Sequence, residues 1–238
     1  MRAVVVLREE IEPKFEAKDI YLLILENGSS GMPLGRPVSE RGERTSMARD
    51  KIRVIKRAEK LVENLEEFYN VFGLSITFGH VEEELIHAVE SFKPHILYSF
   101  TPILITGDLL ERDVVMLFPK RGFSFNRVLY IHSSSKPRSL EWLEKAQNVL
   151  AAAIIQPTMP PEASSKKTKE TFERMERETL ELAASLNAER VVMRGNVVED
   201  TLRLAKEFKA NTIAVNRGVG RENIEKILER ADKNVIVV

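Results

Sequence analysis

Short runs of consecutive apolar residues alternate along this chain with longer segments in which apolar residues recur every three or four positions. The runs at residues 3–7, 20–25, 74–78, 95–100, 114–118, 127–131, 152–156, 190–193, 212–215 and 235–238 read as strands. Most are apolar on successive positions, which fits strands covered on both faces. The segments 47–71, 82–92, 140–150, 167–186, 198–208 and 221–231 carry the helical period. Strands alternating with helices predict an α/β protein with a mainly parallel sheet.

The order of elements repeats. Gly79-His80-Val81-Glu82-Glu83 aligns with Gly195-Asn196-Val197-Val198-Glu199, and the alignment runs without a gap to set Phe92-Lys93 on Phe208-Lys209. Two copies of one domain are therefore expected, 1–122 and 123–238, with the boundary at the polar stretch Lys120-Arg121-Gly122. The copies differ. A short stretch from Arg8 to Asp19, with Pro13 inside it, joins the first two strands of the first copy, whereas 139–148 in the second predicts a full helix. The first copy also inserts a glycine- and proline-bearing loop from Gly28 to Arg44, which with Arg36, Arg41, Arg44 and Arg49 could close over an anion.

Composition narrows the function classes. The 238 residues hold 36 Lys+Arg against 36 Asp+Glu, a balance that argues against a nucleic-acid partner, since that affinity comes from basic surface. With no cysteine, disulfides, thiolate nucleophiles and cysteine-ligated metals are excluded. No apolar run approaches the ~20 residues of a membrane helix, so a soluble, cytoplasmic protein is expected. Abundant Lys, Arg and Glu, with glutamine at Gln147 and Gln156 alone, is the composition of proteins from hot environments. His80, Glu84 and His87 share a helical face at ligand-like spacing, but a two-metal site needs a facing second copy, and the repeat puts Arg203 in place of His87. No metal site is expected.

The second copy runs from Arg127-Val128-Leu129-Tyr130-Ile131 to Thr212-Ile213-Ala214-Val215-Asn216-Arg217-Gly218-Val219-Gly220 and finishes on Val235-Ile236-Val237-Val238. It resembles a universal stress protein domain, and with the repeat the whole chain resembles a tandem universal stress protein. The resemblance implies two parallel-sheet domains of the adenine-nucleotide α-hydrolase-like type, packed as a pseudo-dimer, with 114–118 and 235–238 as paired edge strands. It leaves a homodimer open. It further implies an adenine nucleotide such as ATP in the second copy, at His132, Ser133, Ser134, Asn216, Gly218 and Gly220. Glycines let backbone amides approach phosphate, and a helix N-terminus favours its charge.

The family pattern is met in part. One residue separates Gly218 from Gly220 where the family has two, Arg230-Ala231 stands where a later Gly-Ser or Gly-Thr belongs, and His132 replaces the acid after the first strand. Arg8 holds the corresponding place in the first copy, which is expected to bind no nucleotide. Residues alone leave open a tight turn needing positive φ at the glycines. They also leave open Ser139 as a helix cap, with Ser133 to Ser135 serving turn amides. The function that follows is stress-related regulation or ligand binding without robust catalysis. The alternatives are an interaction protein with decayed pockets and, more remotely, an ATP hydrolase or adenylyl transferase.

Overall fold

A computed structural model of the chain describes residues 1–7, 17–25, 40–77, 81–101, 103, 105–120, 124–133, 139–156 and 166–238, with the backbone alone for 40–50 and 166–168. Arg8, His80, Ser134 and residues 28–39 of the insert lie outside the described residues, and residues 40–44, expected as the end of that loop, are helical instead. The chain forms two compact units, Met1–Ile103 and Leu104–Val238.

The first unit contains β1 (Arg2–Leu7), β2 (Asp19–Leu25), α1 (Glu40–Glu66), β3 (Asn70–Thr77), α2 (Val81–Phe92) and β4 (Ile96–Ser99). Its strands lie in the order β3-β2-β1-β4, all parallel. Ala3, Val4, Val5 and Val6 are fully buried, because β1 is central and side chains of both parities meet covered faces. Gly73 has a local reason: a Cβ there would lie 2.6 Å from the Tyr21 ring, which rests across it.

The second unit contains α3 (Gly107–Glu111), β5 (Val115–Phe118), β6 (Arg127–His132), α4 (Glu141–Glu144), β7 (Asn148–Ile155), α5 (Lys166–Ser185), β8 (Glu189–Arg194), α6 (Val197–Glu207), β9 (Thr212–Val215), a 3-10 turn at Arg217–Val219, α7 (Arg221–Arg230) and β10 (Asn234–Val237). The strand order is β5-β10-β9-β6-β7-β8. All neighbours are parallel except β5 and β10, which pair antiparallel with Ile236 opposite Leu117. The expected partnership of 114–118 with 235–238 is thus present. It also explains why the repeat and compactness divide the chain at different places: α3 and β5 are counted with the first copy in sequence, yet fold with the second unit.

Both units share a doubly wound plan. From β6 the chain steps outward through β7 to β8, then returns to lay β9 on the other side of β6. Right-handed crossovers then place α4 and α5 on one face and α6 and α7 on the other. The crevice at the carboxyl ends of β6 and β9 is the switch point, where such sheets take ligands. The repeat reaches the backbone: Lys93 and Lys209, aligned in sequence, both take positive φ, 48° and 54°, as they leave α2 and α6. After α6 the turn closes by Ala210 N donating to Ala205 O at 2.8 Å, a Schellman-type cap.

One expectation is corrected. The helix read over 140–150 shrinks to α4, and β7 begins at Asn148 rather than at 152. Val149 to Ile154 are all buried, and Asn148 is in register with Arg127 of β6. A seat between β6 and β8 overrides the helical spacing that had placed Asn148 to Leu150 in the helix. Ser139 does not cap α4, whose first residue follows Leu140 without a side-chain hydrogen bond.

Candidate functional site

The switch-point crevice of the second unit is organised by Asn216, which follows β9 and is fully buried. Its Oδ1 accepts from Ser133 Oγ at 2.6 Å and from Gly218 N at 2.8 Å. Its Nδ2 donates to the Tyr130 hydroxyl at 3.1 Å. An amide N–H can only donate, so the carboxamide atom facing Gly218 must be the oxygen. The backbone closes the same knot: Asn216 N donates to Ile131 O, and Val219 N to Asn216 O, both at 3.0 Å. Asn216 therefore ties the end of β6 to the turn that follows β9. Burial pushes the Tyr130 phenol up to about 12, against the pull of its hydrogen bond from Asn216.

His132 ends β6 two residues after Tyr130, on the same side of the strand. It is 8% exposed, and its Nε2 lies 3.5 Å from Oε2 of Glu178 on α5. Neither ring nitrogen nor Glu178 Oε2 meets hydrogen-bonding geometry with a partner. Burial lowers the imidazole pKa, and the nearby Glu178 carboxylate opposes the shift without reversing it. The stability consequence has a definite sign. Between the folded value and the unfolded value near 6.5, the unfolded chain binds more protons, so stability is complete above that range and declines as pH falls through it. Melting temperature measured from pH 8 to pH 5 should fall toward acid, with a shallower fall in His132→Gln. His87 and His95 are exposed, and equal slopes in variant and wild type would remove His132 as the source.

The two glycines do different things. Gly220 has φ +93° with ψ 142°, a region that only glycine enters without strain. Among the described residues a Cβ on it would meet nothing within 4 Å, so its requirement is conformational. Gly218 is not among the positive-φ residues, and its amide is engaged by Asn216. From Gly220 the chain enters α7, whose start has no side-chain cap. The amides of the first turn of a helix lack intrahelical partners, and they carry the positive end of the helix dipole.

The structure thus brings His132, Ser133, Asn216, Gly218 and Gly220 to one end of β6 and β9. Ser133 Oγ donates to Asn216 Oδ1, across the crevice from its own strand. Tyr130, Glu178 and Arg217 also belong to this end of the unit. Tyr130 could have been found from its two-residue spacing to His132, whereas Glu178 and Arg217 carry no local signal. Among the described residues no three His, Asp or Glu side chains gather as a metal centre, and no helix is long and apolar enough to cross a membrane.

No family model matches the sequence. Over its whole length the chain is 59% identical to an uncharacterized protein of Archaeoglobus fulgidus, 94% of which it covers. Among solved structures, a universal stress protein from Archaeoglobus fulgidus aligns with a TM-score of 0.58 at 17% identity, over 99% of this chain and 95% of that one. A putative universal stress protein from Pseudomonas aeruginosa aligns with a TM-score of 0.53 at 14% identity, over 99% and 92%.

Proposed function

We propose that this chain, which has the universal stress protein fold in tandem and belongs to one family with its Archaeoglobus fulgidus relative, is a regulatory protein that binds an adenine nucleotide in its second unit. The observation that carries this reading is the junction at Gly220. A turn pre-ordered by Asn216 presents a helix N-terminus without a side-chain cap at the sheet's switch point, where no described atom lies within 4 Å of a Cβ built on Gly220. Phosphate would lie on the first-turn amides of α7, with Gly220 allowing its close approach. Ser133 and Asn216 would hold the turn from behind, and His132, at the end of β6, would border the nucleoside. Ser134 lies outside the described residues and stays part of the proposal through the sequence alone.

The same geometry supports binding without catalysis. Ser133 directs its proton to the Asn216 carboxamide oxygen, which is not a base, so its hydroxyl has no activation as a nucleophile. Titration calorimetry with ATP, ADP, AMP and cyclic AMP tests the reading. Wild type should bind at least one of them, and Gly220→Val should bind at least about tenfold more weakly, a difference of about 1.4 kcal/mol. No heat from wild type at millimolar nucleotide overturns it. That result favours a second reading, motivated by Asn216 Oδ1 already occupying the Gly218 amide: an interaction module in which this side chain has replaced a ligand. Phosphate release over hours in the presence of bound ATP would count against the noncatalytic role.

A further inference from the structure

An arginine inside a glycine-bearing turn at the start of a helix would ordinarily be assigned to phosphate. Arg217 points elsewhere. Its Nη1 donates to Leu110 O at 2.6 Å and to Arg112 O at 2.5 Å, and its Nη2 donates to Val114 O. These three carbonyls come from the end of α3 and the residue before β5. The first is a helix-terminal carbonyl without an intrahelical donor, and the turn after it is tightened by Val114 N donating to Arg112 O at 3.0 Å. The Arg217 backbone is tied as well, its N donating to Val238 O at 3.0 Å just beyond β10.

We propose that Arg217 is a positioning residue through which the Asn216–Gly220 turn and the α3–β5 segment hold each other in place. The guanidinium is planar and carries donors in a fixed fork, so it can hold three carbonyls only while turn and segment keep one relative position. A shift of the turn breaks that register, and a loosened segment releases the turn. Coupling of this kind is reciprocal. A ligand that orders the turn must slow opening of residues 107–118, and order there must favour the ligand. The segment belongs by sequence to the first copy, so the copy expected to bind no nucleotide would set the affinity of the one that does. The ligand half of this inference rests on the nucleotide reading; the mutual hold of turn and segment does not.

Hydrogen–deuterium exchange separates the two. In the absence of ligand, peptides covering 109–118 are compared among wild type, Gly220→Val, Arg217→Ala and the double variant. Gly220→Val forces the turn out of its positive-φ conformation, and Arg217→Ala removes the fork. Each should speed exchange in 109–118 by about tenfold, and the double variant should exchange no faster than Arg217→Ala alone. An unchanged rate in Gly220→Val, or two effects that multiply, overturns the coupling. Should Arg217→Ala fail to fold, Arg217→Lys replaces it, with exchange between wild type and full loss expected.

In the second arm, saturating nucleotide should slow exchange of 109–118 in wild type and leave it unslowed in the Arg217 variant. An arginine that merely adds stability would lower the melting temperature yet leave ligand-induced slowing intact, and that outcome also overturns the inference. If wild type binds no nucleotide, the proposed function fails alone, and the ligand-free comparison still decides the role of Arg217.

Discussion

Asn216→Leu is expected to destabilise the second unit by roughly 3–9 kcal/mol, at about 1–3 kcal/mol for each of three polar groups that lose its hydrogen bond. The substitution keeps the side chain's shape and removes both polar ends. The Tyr130 hydroxyl, the Ser133 hydroxyl and the Gly218 amide each lose the hydrogen bond that Asn216 gives or takes. Asn216 and Tyr130 are 0% exposed, so water cannot substitute without opening the crevice. Trp142, the single tryptophan, is buried in the same unit, and its fluorescence in a urea titration reports the loss. A second substitution identifies the cause. Adding Tyr130→Phe to Asn216→Leu should recover about 1 kcal/mol or more, because replacing both partners by apolar groups costs less than orphaning one. A loss under about 1 kcal/mol in the single variant, or no recovery in the double, would mean that the knot does not hold the β6 and β9 ends together.

That knot also marks where sequence reasoning stops. The strands were legible because their burial needs no distant information: a run such as Ala3 to Leu7 is apolar at every position, and only a doubly covered strand accommodates that. The repeat was legible for the same reason, and its truth at the level of backbone, Lys93 and Lys209 with the same unusual φ, follows from identical demands at the ends of α2 and α6. The helix at 140–150 failed at its end because Val149 and Leu150 continue a helical spacing locally, while the seat of β7 between β6 and β8 is decided by neighbours far away in sequence. The site divides likewise. Gly220 announces a conformational need that any reader of turns can find. Asn216 could be listed, but its task could not be read, since Tyr130 and Ser133 reach it across more than eighty residues of chain. Arg217 could not be found at all, since the carbonyls that its fork holds stand more than a hundred residues away in sequence.

The antiparallel seam between β5 and β10 carries the largest remaining consequence. Leu117 sits opposite Ile236, and both are fully buried. Leu117→Asp would place a carboxylate among apolar side chains, where its effective desolvation penalty is several kcal/mol. It would also lose the ~2–5 kcal/mol that removing a buried leucine costs. The expected result is a loss of at least about 4 kcal/mol, read again from Trp142, although residue 117 lies in the first sequence copy and Trp142 in the second. Leu117→Ala should follow the same transition with a smaller shift, which separates lost packing from buried charge. If the Trp142 transition were untouched by Leu117→Asp while circular dichroism recorded a loss elsewhere, β5 would not be part of the unit that contains the site, and the hold attributed to Arg217 would lose its anchor. If the transition moves as expected, the strand that completes the second unit is one that the first copy supplies.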